Sequence, residues 1–184
     1  FLEEPLRFDK LVVCGHMPTC NYCHLMGDKL SFLPLALPEK NVLSIDGGNA
    51  VKAYGQLNAV VFEGEERFFH SVDELPEALV IGEQEESECF ACVVWNHNEV
   101  EVLAKRGENA LCRVLFTGKT LEIPQKLLFE ENGAQRSYDY TDYFPRLRPG
   151  ERVRLLEEGG EACLIKHRGV VGWAKNAILT YRSR

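Results

Sequence analysis

The chain has 184 residues, 45% of them hydrophobic and 27% charged, with seven cysteines and a formal net charge of −7. That length buries one good core or two to three small ones, and the composition is that of a soluble globular protein rather than a disordered one. No apolar run is long enough to span a bilayer, and Phe1-Leu2-Glu3-Glu4-Pro5-Leu6 has neither the basic nor the apolar region of a signal peptide. Those first residues read as an element already under way, so the sequence is expected to be the rear part of a longer cytoplasmic protein with no membrane partner.

The cysteines are odd in number and sit mostly in apolar stretches such as Val12-Val13-Cys14 and Phe90-Ala91-Cys92-Val93. That is how reduced cysteines serve as small buried hydrophobes, whereas a secreted disulfide scaffold is shorter and denser in cysteine. Charge is unevenly spread. From Glu63 to Glu101 there are 12 acidic residues and one basic residue, Arg67; from Pro145 to Arg184 there are nine basic and four acidic. A basic tail suits an acidic partner or nucleic acid. It equally suits the acidic stretch of its own chain, and the scarcity of interleaved aromatics favours that second reading over nucleic acid.

In chain order, Leu11-Val12-Val13-Cys14 reads as a short buried strand ending in Gly15-His16, and Asn41–Ile45 as a second strand running into Asp46-Gly47-Gly48-Asn49. Pro18, Pro34 and Pro38 between them argue for loop. Leu57–Phe62 and Arg67–His70 follow as a third and fourth strand. Ser71–Leu79 is predicted as a short helix capped by Ser71, with Glu74 three residues on. Residues 82–89 read as a solvated acidic linker.

Beyond the linker the chain repeats itself. Residues 98–108 lie over 151–161 at a shift of 53 (Val153 against Val100), and Gly118–Leu128 over Gly169–Leu179 at a shift of 51. Two copies cannot close a propeller or stack a solenoid, so two independent small β-barrels are expected, at 90–134 and 138–184. Gly169-Val170-Val171-Gly172-Trp173-Ala174, with Ala177-Ile178-Leu179 behind it, resembles the last strands of bacterial Src-homology-3-like domains, which end in a short 3₁₀ turn. The first copy has Leu121-Glu122 in place of Gly-Trp and keeps Ile123-Pro124. Trp173 is either a ligand platform or a core residue on the turn glycines, with the core role placed first.

The strand that ends in Gly15-His16 presents an imidazole at the carboxyl edge of a sheet, where α/β proteins build sites and where a neutral imidazole ligates a transition metal. Val13-Cys14-Gly15-His16-Met17-Pro18-Thr19, Asn41-Val42-Leu43-Ser44-Ile45-Asp46-Gly47-Gly48-Asn49 and Gly55-Gln56-Leu57-Asn58-Ala59-Val60 together resemble the end of calcineurin-like metallophosphoesterases. The branch is that of bacterial relatives of serine/threonine protein phosphatases and symmetric dinucleoside-tetraphosphatases. The likeness covers residues 6 to 70. It implies a fold that is mainly β with some α: the C-terminal portion of an α/β calcineurin-like β-sandwich over 1–81, followed by the two Src-homology-3-like barrels.

The same resemblance implies that His16 ligates one of two metals (manganese, iron or zinc), with Asp46, Gly47, Gly48 and Asn49 in support. The parent would then hydrolyse phosphate esters or phosphoanhydrides, on a phosphorylated protein or a nucleotide, with a metal-activated hydroxide. The family's Gly-Asp-x-His, Gly-Asp-x-x-Asp-Arg-Gly and Gly-Asn-His blocks are absent here. This chain alone is therefore expected to be inactive and to hold no metal pair stably, its partner being the missing N-terminal half of the catalytic domain. The alternative is a non-catalytic binding or scaffold protein that uses its tandem barrels.

Three rival readings attach to one loop. Cys20-Asn21-Tyr22-Cys23-His24 has the form of a c-type haem attachment site, which needs export. Cys14, His16, Cys20, Cys23 and His24 are enough ligands for one tetrahedral zinc, though all lie within eleven residues. A Cys-x-x-Cys redox pair needs a helix N-terminus after a strand. His70, His97 and His167 have no sequence partner that suggests catalysis.

Overall fold

The computed structural model describes residues 2–181. Strands β1 (Val12–Cys14), β2 (Leu35–Leu37) and β3 (Val42–Ser44) form a three-stranded sheet in the order β1-β3-β2. β1 runs parallel to β3, and β2 is antiparallel to it. The crossover contains an irregular 3₁₀ segment, Thr19–Met26, which ends at Gly27 in the left-handed conformation. Leu2, Tyr22, Leu35, Leu37 and Val42 form the apolar cluster on this sheet.

β4 (Leu57–Glu63) and β5 (Glu66–Val72) pair as a hairpin over seven residues each, turned at Gly64 with φ of 62°. β6 (Glu77–Val80) follows after a short bend. The helix predicted over Ser71–Leu79 is thus a correction: Ser71 lies opposite Asn58 and donates its hydroxyl to Asn58 Oδ1 at 2.7 Å. A local capping signal worth about 1 kcal/mol loses to a strand ladder and to the non-local pairing of β6.

The remaining eleven strands carry the repeat and its outcome. The first unit has β7 (Cys92–Val93), β8 (Val100–Arg106), β9 (Asn109–Val114), β10 (Thr120–Pro124), β11 (Leu128–Glu131), β12 (Ala134–Ser137) and β13 (Tyr140–Thr141). The second has β14 (Arg152–Glu157), β15 (Ala162–His167), β16 (Val170–Lys175) and β17 (Leu179–Tyr181). β9 and β15 coincide at the shift of 53, and the 3₁₀ turns Gln125–Leu127 and Asn176–Ile178 at the shift of 51. The bulge between Val102 and Ala104 has its counterpart between Leu155 and Glu157, again at 53. A bulge kept at one register in both copies is a built feature of the strand bend.

The two units differ in where their fifth strand comes from. The second sheet runs β16-β15-β14-β6-β17, with β6 lying between β14 and β17. In the first unit the same place is taken by β12, which pairs with β11 and bridges Glu99 through Arg136. The registers agree: Leu179 faces Val80 and Arg152 faces Leu79, as Leu128 faces Ser137 and Glu99 faces Arg136. One unit takes this strand from after its body and the other from before it, so segment 1–81 gives its last strand to the sheet of segment 138–184. The units interleave along the chain.

The molecule is mainly β, and its helical residues are 3₁₀ segments rather than α-helices among those described. Among the described residues the sheets stay separate, and in neither unit are the strands paired into a closed ring. Each unit has its own core, one around Val100, Cys112 and Ile123 and one around Val153, Ile165 and Ala174. A third cluster joins Cys20, Cys23, Leu30 and Phe32 of the first segment to Cys92 and Val94 of one unit and Leu164 and Val171 of the other.

The acidic stretch is not simply solvated. Glu85 pairs with Arg146 and Arg148 at 2.9 Å each, Glu77 with Arg152 at 3.0 Å and Arg154 at 2.9 Å, and Glu86 with Lys29 at 2.7 Å. Gln84 is buried and bridges Pro145 O and Trp173 O, each at 2.9 Å. The basic tail is met by the chain's own carboxylates.

The expectation of seven reduced cysteines is also corrected: Cys23 and Cys92, 69 residues apart, form a disulfide. It fastens the 3₁₀ segment to the first strand of the first unit, a contact that sequence spacing does not reveal. Thiol titration of the denatured, unreduced protein is expected to count five thiols, rising to seven after reduction; seven before reduction would exclude the bridge.

Candidate functional site

Two strands running in parallel carry the predicted site residues to one edge. Cys14 is level with Ser44, and the Ile45 amide donates to Cys14 O at 2.9 Å, so His16 and Asp46 leave the carboxyl ends of β1 and β3 side by side. A Cβ added at Gly15 would stand 3.9 Å from Asp46 Oδ2, which places the carboxylate against the Gly-His turn. His16 is exposed and holds φ of 83°, a conformation that costs a non-glycine residue about 1 kcal/mol or more and gathers at functional turns.

The turn after Asp46 is tied from three sides. Asp46 Oδ1 accepts the Gly48 amide at 2.8 Å, and Asp46 O accepts the Thr19 amide at 2.8 Å and its hydroxyl at 3.1 Å. The Gln56 amide donates to Gly47 O at 2.8 Å. The stretches 15–19, 46–48 and 55–58 therefore meet. Asn49 is exposed on the turn beyond Gly48. Among the described residues no third metal-ligating side chain gathers with His16 and Asp46; the one group of three or more lies elsewhere and consists of Glu3, His24 and His97.

In the Cys20–His24 loop the two cysteines have different surroundings. Cys20 is fully buried, and burial pushes its thiol up to about 12, with Lys52 opposing weakly. A thiol kept protonated by burial is a poor nucleophile. Cys23 is bonded to Cys92, so the two cysteines do not act as a pair. His24 turns instead to Glu3 and His97, two residues that sequence spacing does not link to it.

A second feature is a cavity of about 430 Å³ at the junction of the first segment with both repeat units. Tyr54, Trp95, Tyr138, Tyr140 and Trp173 line it, with Phe32 beneath. Lys52 Nζ pairs with Asp139 Oδ2 at 2.6 Å on its wall, and Tyr54 donates its hydroxyl to Glu157. The Trp173 indole N–H donates to Thr141 O at 2.8 Å. Trp173 thus packs against the joining core and also lines the cavity. The volume lies within the range of small-ligand sites.

No family model, curated protein or solved structure matches the chain.

Proposed function

We propose that this chain is the C-terminal portion of a metal-dependent phosphoesterase of the calcineurin-like kind, with His16 as ligand to one of two divalent metals. The observation that carries this reading is the placement of His16 and Asp46 together at the carboxyl ends of parallel β1 and β3. A single imidazole cannot hold two metals, so the other ligands, the bridging carboxylate and the general acid belong to a preceding part of the catalytic domain. Metals held between the two parts would supply the activated hydroxide and clamp the oxygens of the phosphoryl group.

The β4–β5 hairpin supports an incomplete domain. An isolated two-stranded ribbon is marginal in water, and this one exposes Leu57, Val61, Phe62, Phe68, Phe69 and Val72. By strand alternation Leu57, Val61, Phe68 and Val72 share one face of the ribbon and Phe62 and Phe69 the other. Exposed apolar side chains on a ribbon with free edges mark surfaces made to be covered, and the rest of the catalytic domain is the occupant this reading assigns. The two repeat units then act as Src-homology-3-like accessory modules on a phosphorylated-protein or nucleotide hydrolase.

The test is manganese-supplemented hydrolysis of an aryl phosphate by this chain and by a form extended to include the preceding sequence. Turnover is expected only in the extended form, and His16→Ala abolishes it. Turnover by the 184 residues alone would place the active site elsewhere. Its absence from both, with a ligand titrating Trp95 and Trp173 fluorescence, would favour the second reading: a non-catalytic binding protein using the aromatic cavity between its repeats.

A further inference from the structure

We propose that Glu3, His24 and His97 form a binding site for one zinc-class divalent transition metal, separate from the His16 edge. His24 lies in the 3₁₀ segment Thr19–Met26, His97 in the loop between β7 and β8, and Glu3 near the start of the chain. Their ligand atoms all lie within 4.8 Å of one another. Both imidazoles aim Nε2 at the same oxygen, Glu3 Oε1, at 3.2 Å from His24 and 3.0 Å from His97. In a tetrahedral zinc site with bonds of about 2.0 Å, neighbouring ligand atoms stand about 3.3 Å apart. The three side chains are therefore already spaced as ligands, and a small rotation of the Glu3 carboxylate admits an ion.

The rings are held for this task. His97 stacks on Phe116 with centroids 3.6 Å apart and planes 7° from parallel, and His24 stands edge-on to Phe116 at 5.1 Å. The two imidazoles meet at 5.3 Å and 78°, an arrangement that points two nitrogens at one spot without stacking the rings. His24 Nδ1 is buried with no hydrogen-bond partner, so Nε2 is the only nitrogen of that ring open to a ligand.

Two imidazoles and one carboxylate select a borderline metal over magnesium or calcium, which prefer all-oxygen shells. Three protein ligands leave a fourth position, and the three also line a cavity with Leu2, Leu25, Leu37, Glu39 and Lys40. The site joins the first segment to the first repeat unit beside the Cys23–Cys92 disulfide, so an ion here ties the same two elements a second time. Its ligands replace the cysteine-rich set that the sequence suggested for zinc.

The experiment is calorimetric titration of the metal-stripped 184-residue chain with zinc chloride, repeated with cobalt(II) chloride while the visible spectrum is recorded. One equivalent of zinc is expected to bind. The binding weakens in Glu3→Gln and is lost in His24→Ala/His97→Ala, while His16→Ala and Cys20→Ser bind as the parent does. The cobalt form is expected to show tetrahedral bands without the near-ultraviolet charge transfer of a thiolate ligand. Glu3→Gln alters an exposed side chain outside every core cluster, so its reading does not depend on refolding a core. Failure of the parent to bind, full binding by the double variant, loss in Cys20→Ser, or a thiolate band would each overturn the assignment. None of these outcomes depends on turnover, so the site and the phosphoesterase reading fail separately.

Discussion

Replacing Lys166 with methionine is expected to cost about 4 kcal/mol of stability, read as a shift in the urea midpoint at constant slope. Lys166 is 2% exposed, and its ammonium meets Asp73 Oδ2 at 2.7 Å, Tyr54 O at 2.9 Å and Gly55 O at 3.4 Å, with the Phe32 ring 5.5 Å away. Burial lowers its pKa, and the Asp73 carboxylate opposes that shift. The charge is thus held by its partners rather than by water. Methionine fills the stem's volume and removes the charge, which leaves Asp73, 10% exposed, with the Arg154 Nε contact at 3.1 Å and the Leu75 amide at 3.3 Å, and strands two backbone carbonyls. Removing one member of a buried pair costs about 3–5 kcal/mol because the other is left uncompensated.

Two companions separate this cause from simple loss of packing. Arg154→Met, on a side chain 35% exposed, is expected to cost about 1 kcal/mol or less. Adding Asp73→Asn to Lys166→Met removes the stranded charge and is expected to recover part of the loss. A Lys166→Met protein as stable as the parent would show that the ammonium does not tie the second unit to the segment Tyr54–Asp73.

The architecture divides cleanly into what spacing reveals and what it hides. Strands β1, β3, β4 and β5 lie where alternating or apolar runs put them, because each is a local run of three to seven residues. The repeat was legible to the residue, since copies of one hairpin keep their turn glycines and their bulge. What stayed hidden is the partner of each strand. β6 was read as helix because Ser71 and Glu74 form a local cap signal, whereas its place between β14 and β17 depends on residues about 75 and 100 positions away. The Cys23–Cys92 bridge and the meeting of His24, His97 and Glu3 are hidden for the same reason. His16 and Asp46 were legible because a strand followed by Gly-His and another followed by Asp-Gly-Gly are local patterns. Their juxtaposition follows from one parallel pairing.

That juxtaposition hangs on Gly47, and Gly47→Ala is expected to cost about 3 kcal/mol, the upper end of overpacking. Its Cβ would fall 2.2 Å from Gln56 O and 2.8 Å from Asn58 Nδ2. Neither neighbour can step aside. Gln56 O is backbone, and the Gln56 amide is itself bonded to Gly47 O at 2.8 Å. The Asn58 side chain is buried and fully committed, donating to Phe32 O at 2.8 Å and Ile45 O at 3.2 Å and accepting from Gln56 Nε2 and Ser71 Oγ at 2.7 Å each. Relief therefore requires breaking a satisfied buried network, where each group left unpaired costs about 1–3 kcal/mol. Gly160→Ala, where an added Cβ meets nothing within 4 Å, is expected to change stability little and serves as the control. Because Asp46 precedes Gly47 and holds Thr19 through its carbonyl, the same alanine displaces the carboxylate from the Gly15-His16 turn. In the extended form of the protein it is expected to reduce metal-dependent turnover while leaving zinc titration at Glu3, His24 and His97 unchanged. Parent-like stability and turnover together would mean that the 46–48 turn neither packs nor supports the His16 edge as these contacts require.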